Sequence, residues 1–144
     1  MGTRSTIALE FADGTVQQVY CHWDGYLEHN GKILAEHYSD PFKLRDLIDL
    51  GDMSSLGERI GTQHAFDKAP KGECTFYKRD RNEEGCKAKS FVDFQDYLAH
   101  HQYEEYEYIL RQVNGEAVWY VKCHDEPFVM LVSALAEAAA MEDN

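Results

Sequence analysis

From Ser5 to Phe11 the apolar residues Ile7, Leu9 and Phe11 alternate with Thr6, Ala8 and Glu10, which is the period-two signature of a half-buried strand. A second run, "TVQQVYCHW", begins just after Asp13-Gly14, and the two runs read as a β-hairpin. With a two-residue turn at Asp13-Gly14, Phe11 would face Val16, Ile7 would face Tyr20, Ser5 would face His22 and Arg4 would face Trp23. This register depends on the turn length, because a slip of one residue reverses every face.

The next segment, "YLEHNGKILAEHY", carries Leu27, Leu34 and Tyr38 at roughly helical spacing, with Asn30-Gly31 in its middle, so a short helix or two pieces is expected. "SDPFKLRDLIDLG" is clearer: Ser39 or Asp40 can cap, Pro41 suits the first turn, Leu44, Leu47 and Ile48 form a stripe, and Gly51 can end the helix. Leu56 and Ile60 in "DMSSLGERIG" contribute to some surface, and residues 62–73, with Pro70 and Gly72, read as a surface loop. "CTFYKRD" (Cys74 to Asp80) reads as a strand. A third helix is expected from Ser90, where Ser90 and Asp93 fit a capping box and Phe91, Phe94, Tyr97 and Leu98 make an apolar face. "EEYEYILRQ" and "AVWYVKC" flank Asn114-Gly115-Glu116 as a second hairpin, and the Ala- and Leu-rich tail predicts a final helix that frays over 141–144. Two hairpins and a lone strand give an α+β class: an antiparallel sheet of about five strands, with three to four helices mainly on one face.

The length of 144 residues suits a single domain, 1–144. Apolar residues at 44% and aromatic residues at 12% place the chain among those that fold. Fourteen Lys and Arg stand against 26 Asp and Glu, a formal net charge of −12, which disfavours direct binding to nucleic acid or anionic membranes and favours a partner with a basic surface. The amino-terminal stretch lacks the apolar run of a secretory signal or membrane span, so a cytoplasmic location with four free thiols (Cys21, Cys74, Cys86, Cys123) is expected.

The densest chemistry lies in "CHWDGY". One reading is a pocket in which Arg4, Ser5, His22 and Asp24 bind a polar anion while Trp23 and Tyr26 supply flat walls. The other is a packed corner, with Arg4 on Asp24 or Trp23, His22 bonded to Ser5, and Asp24-Gly25 forming the turn into the helix. Zinc-compatible residues occur (the Cys21-His22 and Cys123-His124 pairs, Cys74, Cys86, His29, His37), but at no zinc-binding spacing, and neighbours on a strand diverge; no metal or cofactor is expected. No nucleophile elbow or phosphate-binding loop is present, which leaves no catalytic residue to name. A separate candidate partner surface is "QYEEYEYIL", where Glu104, Glu105 and Glu107 interleave with Tyr103, Tyr106 and Tyr108.

Through "GTRSTIALEFADG", "VYCHWDGYLEHNGKILAEHY" and "LGDMSSLGERIG" the chain resembles a family of small bacteriophage and prophage proteins with a Thr-Arg-Ser start and a His-Trp-Asp-Gly-Tyr segment. The likeness covers about the first 60 residues well and, through "CTFYKRDR" and "FVDFQDYLAHHQYEEYEYIL", the next 50 more loosely. It implies an origin, a phage-type accessory protein at work in the bacterial host cytoplasm, and brings no activity with it. The expected function is then counter-defence inhibition: an acidic surface engages a host nucleic-acid-targeting effector, in the manner of an anti-CRISPR protein. The alternative is sequestration of a small nucleotide signal by the Arg4/His22/Trp23/Asp24/Tyr26 corner, and a second is an enzyme acting on such a nucleotide.

Overall fold

The computed structural model describes residues 3–142. In chain order the elements are β1 (Ser5–Glu10), β2 (Val16–Cys21), a π-helical turn (Leu27–Gly31), α1 (Lys32–His37), α2 (Pro41–Asp49), β3 (Met53–Ser55), β4 (Thr75–Phe76), α3 (Tyr77–Arg81), β5 (Lys89–Phe91), α4 (Phe94–His100), β6 (Tyr106–Val113), β7 (Glu116–Cys123), β8 (Val129–Met130) and α5 (Leu131–Glu142). Of the tail expected to fray, residues 143–144 lie outside the described residues.

The strands form one mixed sheet in the order β4-β3-β2-β1-β6-β7-β8, with β5 pairing on β2. The class is α+β, but the sheet is larger than five strands and is not purely antiparallel: β1 runs parallel to β6, and β2 parallel to β3. The described residues form five α-helices rather than three or four, and α1, α2 and α5 share one face while α4 takes the other. Ile7, Leu9, Val19, Cys21, Tyr108, Leu110 and Val121 point from the sheet into a core shared with Leu34, Tyr38, Leu44, Leu47, Ile48 and Leu131 from α1, α2 and α5. The opposite residues Ala8, Val16 and Ile109 pack instead on Phe91 and Tyr97, so α4 covers the other face. Burial of all six β1 residues follows from these two layers.

The first hairpin forms one residue out of the expected register. Ser5 faces Cys21 and Ile7 faces Val19, with Thr6 opposite Tyr20. The loop has three residues: the Phe11 amide donates to Thr15 O at 2.8 Å, and Gly14 takes the left-handed conformation at φ +91°. The Asp13 carboxylate fixes this loop by accepting from both the amide and the hydroxyl of Thr15, at 3.0 and 2.7 Å. The second hairpin has the two-residue turn that Asn-Gly encodes, with Asn114 and Gly115 both at positive φ and Val113 opposite Glu116.

Two boundaries also move. Ser90 lies in β5 opposite Gln17, and α4 begins only at Phe94, capped by the Asp93 carboxylate on the Asp96 amide at 2.8 Å. Ser90 therefore takes no part in a capping box; Asp96 accepts instead from the amide of Val92, one residue before the cap. The strand expected through Asp80 stops at Phe76, because the Asp80 side chain turns back to accept the Phe76 amide at 2.8 Å and starts a short helix there. At α2 the Asp40 side chain accepts the Phe42 amide at 3.0 Å, with Pro41 at the first helical position. Replacing Asp40 with Ala removes this cap and is expected to lower unfolding free energy by about 1 kcal/mol in urea titrations, with unchanged slope.

Candidate functional site

The corner after β2 folds as a clamp. Trp23 N donates to Ser54 O at 2.9 Å, Asp24 adopts the left-handed conformation at φ +58°, and the Gly25 amide donates to Thr3 O at 2.8 Å. A β-carbon on Gly25 would stand 2.7 Å from Ser5 Cβ and 2.9 Å from Thr3 O, so the backbone passes there only because glycine has no side chain. Ser5 is fully buried, and Asn30 reaches its hydroxyl, the Cys21 thiol and Trp23 O, each at 3.4 Å. From the sheet, the Tyr108 hydroxyl donates to Gly25 O at 2.6 Å.

The six corner residues are thus divided. Ser5 is sealed in, with Cys21 opposite it in place of His22. His22 bonds through Nδ1 to the Tyr20 hydroxyl at 2.7 Å and meets Trp23 edge to face at 4.8 Å. Trp23 is 44% exposed and Arg4 lies at the surface. Asp24 and Tyr26 are half-buried, and their carbonyls hold the π-helical turn: Asp24 O accepts from the Asn30 amide and Tyr26 O from those of His29 and Gly31. Among the described residues no ion pair joins Arg4 to Asp24. None of the five principal concavities is lined by any of the six.

The acidic segment next to it is divided differently. Glu107 and Tyr108, expected at a partner surface, are interior: their exposures are 1% and 0%. Period-two alternation puts Tyr108 in the helical layer and Glu107 on the α4 side, where its carboxylate pairs with His101 Nε2. His101 Nδ1 donates to Tyr97 O at 2.7 Å, and the ring stacks on Tyr97 at 4.6 Å. Both ring nitrogens face oxygen acceptors, an arrangement satisfied by the imidazolium. Burial alone lowers the His101 pKa, but the Glu107 bond and charge outweigh it and the net direction is upward.

What remains outside is a shallow concavity of about 370 Å³ lined by Tyr103, Glu104, Glu105, Glu107, Lys122, His124 and Asp125. Glu105 Oε1 accepts the Arg4 amide at 3.3 Å and Glu104 Oε2 accepts from the Gln102 amide group at 2.9 Å, so each carboxylate spends one oxygen inside the chain. Tyr103 stands on the rim, 64% exposed, 4.3 Å from the His101 ring. Tyr106 is half-buried on the other side of its strand, edge to face with His124 at 5.1 Å. Sequence reasoning missed Asp125 and His101, while Tyr103 was among the tyrosines it placed at the acidic surface. The detectable signal was His101 six residues before Glu107, opposite charges flanking a chain reversal into a strand.

Elsewhere, titratable clusters hold the fold together. Asp80 accepts from the Phe76 and His64 amides and from the Arg79 guanidinium at 3.0 and 3.1 Å; burial pushes its pKa up, but these donors hold it below the ordinary range. Cys21 is raised to about 12 by burial, which leaves it a neutral thiol. Among the described residues no three His, Cys, Asp or Glu groups converge on a metal position, and no helix is long and apolar enough to cross a membrane. No family model matches the chain, and comparison with curated proteins and with solved structures likewise returned no match.

Two measurements check this geometry. Gly25→Ala forces a backbone shift at Thr3 and is expected to cost about 1–3 kcal/mol in unfolding free energy, while Trp23→Ala at the surface changes it by at most about 0.5 kcal/mol. For His101, whose folded pKa is raised, the stabilisation is complete below the ordinary value of 6.5 and disappears as pH climbs through the raised value. Unfolding titrations of wild type and His101→Gln should therefore differ most near pH 5.5 and converge as the solution turns alkaline.

Proposed function

We propose that this chain is a binding protein that grips a basic segment of a protein partner in the acidic concavity, and that it acts as a phage-type counter-defence inhibitor by occupying the basic groove of a host nucleic-acid-targeting effector. The observation that carries this reading is the convergence of Glu104, Glu105 and Asp125 on one opening beside the exposed ring of Tyr103. Carboxylates with spare oxygens next to an aromatic face suit a guanidinium, which takes bidentate bonds at its edge and stacks through its plane. The net charge of −12 adds long-range attraction to a surface built for nucleic-acid phosphates.

The test is plaque formation on bacteria that carry single nucleic-acid-targeting defence systems and express this chain. Wild type should restore plating against at least one system, and Glu104→Lys with Glu105→Lys should lower the rescue by at least tenfold while leaving thermal unfolding within a few degrees. In binding assays with the effector so identified, raising salt from 0.1 to 0.5 M should weaken the complex steeply. Rescue from no system would overturn the inhibitor reading. Loss through Arg4→Ala with Asp24→Ala, but not through the acidic pair, would move the function to the corner and its nucleotide-binding alternative.

A further inference from the structure

The opposite face of the sheet carries a second opening. α5 leans on the π-helical turn, on β7 and on α1, and between them lies a groove of about 370 Å³ whose apolar lining comes from Leu27, Pro127, Val129, Ala134, Ala138 and Met141. α5 has no Lys or Arg, and among its described side chains the only charged one is Glu137. Among the described side chains of that helix only Leu131 is fully buried, Ala134, Leu135 and Ala138 are half-buried, and Val132 and Met141 are 65% and 72% exposed. Beside it, Val129 and Met130 of the edge strand β8 are each 44% exposed. Of these exposed residues Val129 and Met141 line the groove, and exposed apolar side chains round a groove are the mark of an interaction site.

Charge selects the occupant. The charged residues in the lining are Glu126 and Glu137, both exposed, and the neighbouring Glu28 helps to raise the Cys123 thiol pKa, after burial. Lys122, the nearest cation along the chain, is turned away: it sits opposite Glu107 on the α4 side of the sheet, and its ammonium donates to His124 O. A second copy of this chain would bring Glu126 and Glu137 against equivalents of the same sign, and an anionic lipid surface would be repelled likewise. An incoming helix with an apolar stripe and flanking Lys or Arg satisfies both the lining and the rim. α5 itself, at 12 residues and about 18 Å, offers a track for roughly three turns of such a helix.

We propose that the groove between α5, the π-helical turn and the β7–β8 connection is a docking site for a cationic amphipathic helix of a partner protein. It lies on the face away from the acidic concavity and stands whether or not the concavity is the inhibitory surface.

A synthetic 18-residue peptide of Leu and Lys, patterned to give one apolar stripe on a helix, tests this by fluorescence anisotropy against the full chain. Expected are saturable 1:1 binding, at least tenfold weaker binding of a scrambled peptide of equal composition and of the Leu/Glu counterpart, and at least tenfold loss on Glu126→Lys with Glu137→Lys. Ala138→Gln, which fills the groove without changing charge, should weaken binding several-fold, and Glu104→Lys with Glu105→Lys should leave it unchanged. Circular dichroism confirms that each variant is folded. Equal affinity for the scrambled peptide, no saturable binding, or loss only through the concavity variant would overturn the proposal. So would a dimer in light scattering that Met141→Lys dissociates, because the face would then be a self-interface.

Discussion

The rest of the molecule depends on β1 being buried from both sides. Ser5 to Glu10 has β2 on one edge, β6 on the other, and a packed layer above and below, so each side chain answers to one of two cores. Ile7 and Leu9 enter the larger layer, and Ala8 the smaller. Two of its buried polar residues are bonded, Glu10 accepting from the Arg111 guanidinium and the Gln112 amide and Ser5 from Asn30, while the buried Thr6 hydroxyl finds no partner among the described residues. At the leading end the pairing continues past the strand, where Arg4 O accepts from the Tyr106 amide and Arg4 N donates to Glu105. The aromatic corner and the acidic edge thereby meet at one end of the sheet.

This junction explains why two neighbouring groups of reactive residues have such different prospects. The corner uses its chemistry on itself: Ser5, Asn30 and Cys21 are sealed beneath Gly25, and Tyr108 fastens the assembly to the sheet centre. The acidic edge uses only part of its capacity, with Glu107 neutralised by His101 while Glu104, Glu105 and Asp125 stay accessible beside Tyr103. The end of β7 and the β7–β8 connection divide their residues between two surfaces, Lys122, His124 and Asp125 bordering the concavity and Cys123, Glu126 and Pro127 bordering the apolar groove.

Where local chemistry decides structure, the sequence was readable. Asn114-Gly115 encodes a hairpin turn, and Asp40-Pro41 with the Leu44, Leu47 and Ile48 stripe encodes α2. The first hairpin misled because Asp13-Gly14 fits a two-residue turn as well as a three-residue loop, and only the Asp13–Thr15 bonds favour the latter. The start of α4 misled because Ser90 and Asp93 are both competent caps, and pairing with Gln17 claims the serine for the sheet. The parallel contact of β1 with β6 leaves no local trace at all. Burial of Glu107 and Tyr108 was hidden for a related reason: "EEYEY" has the alternation of a one-sided strand, and only the α4 layer, which covers the second face, takes Glu107 inside.

The β1–β6 ladder joins residues 101 positions apart, Ser5 with Tyr106, at the centre of the sheet. Local pairing alone delivers the first hairpin early, yet its hydrophobic edge has no neighbour until the chain has been synthesised beyond Val113. On the ribosome the first hairpin must therefore wait, half-assembled, while about a hundred further residues are added, and such waiting species attract chaperones or stick to one another. A sheet whose central ladder joins such distant segments favours swift, uninterrupted synthesis of the stretch between them over piecemeal maturation.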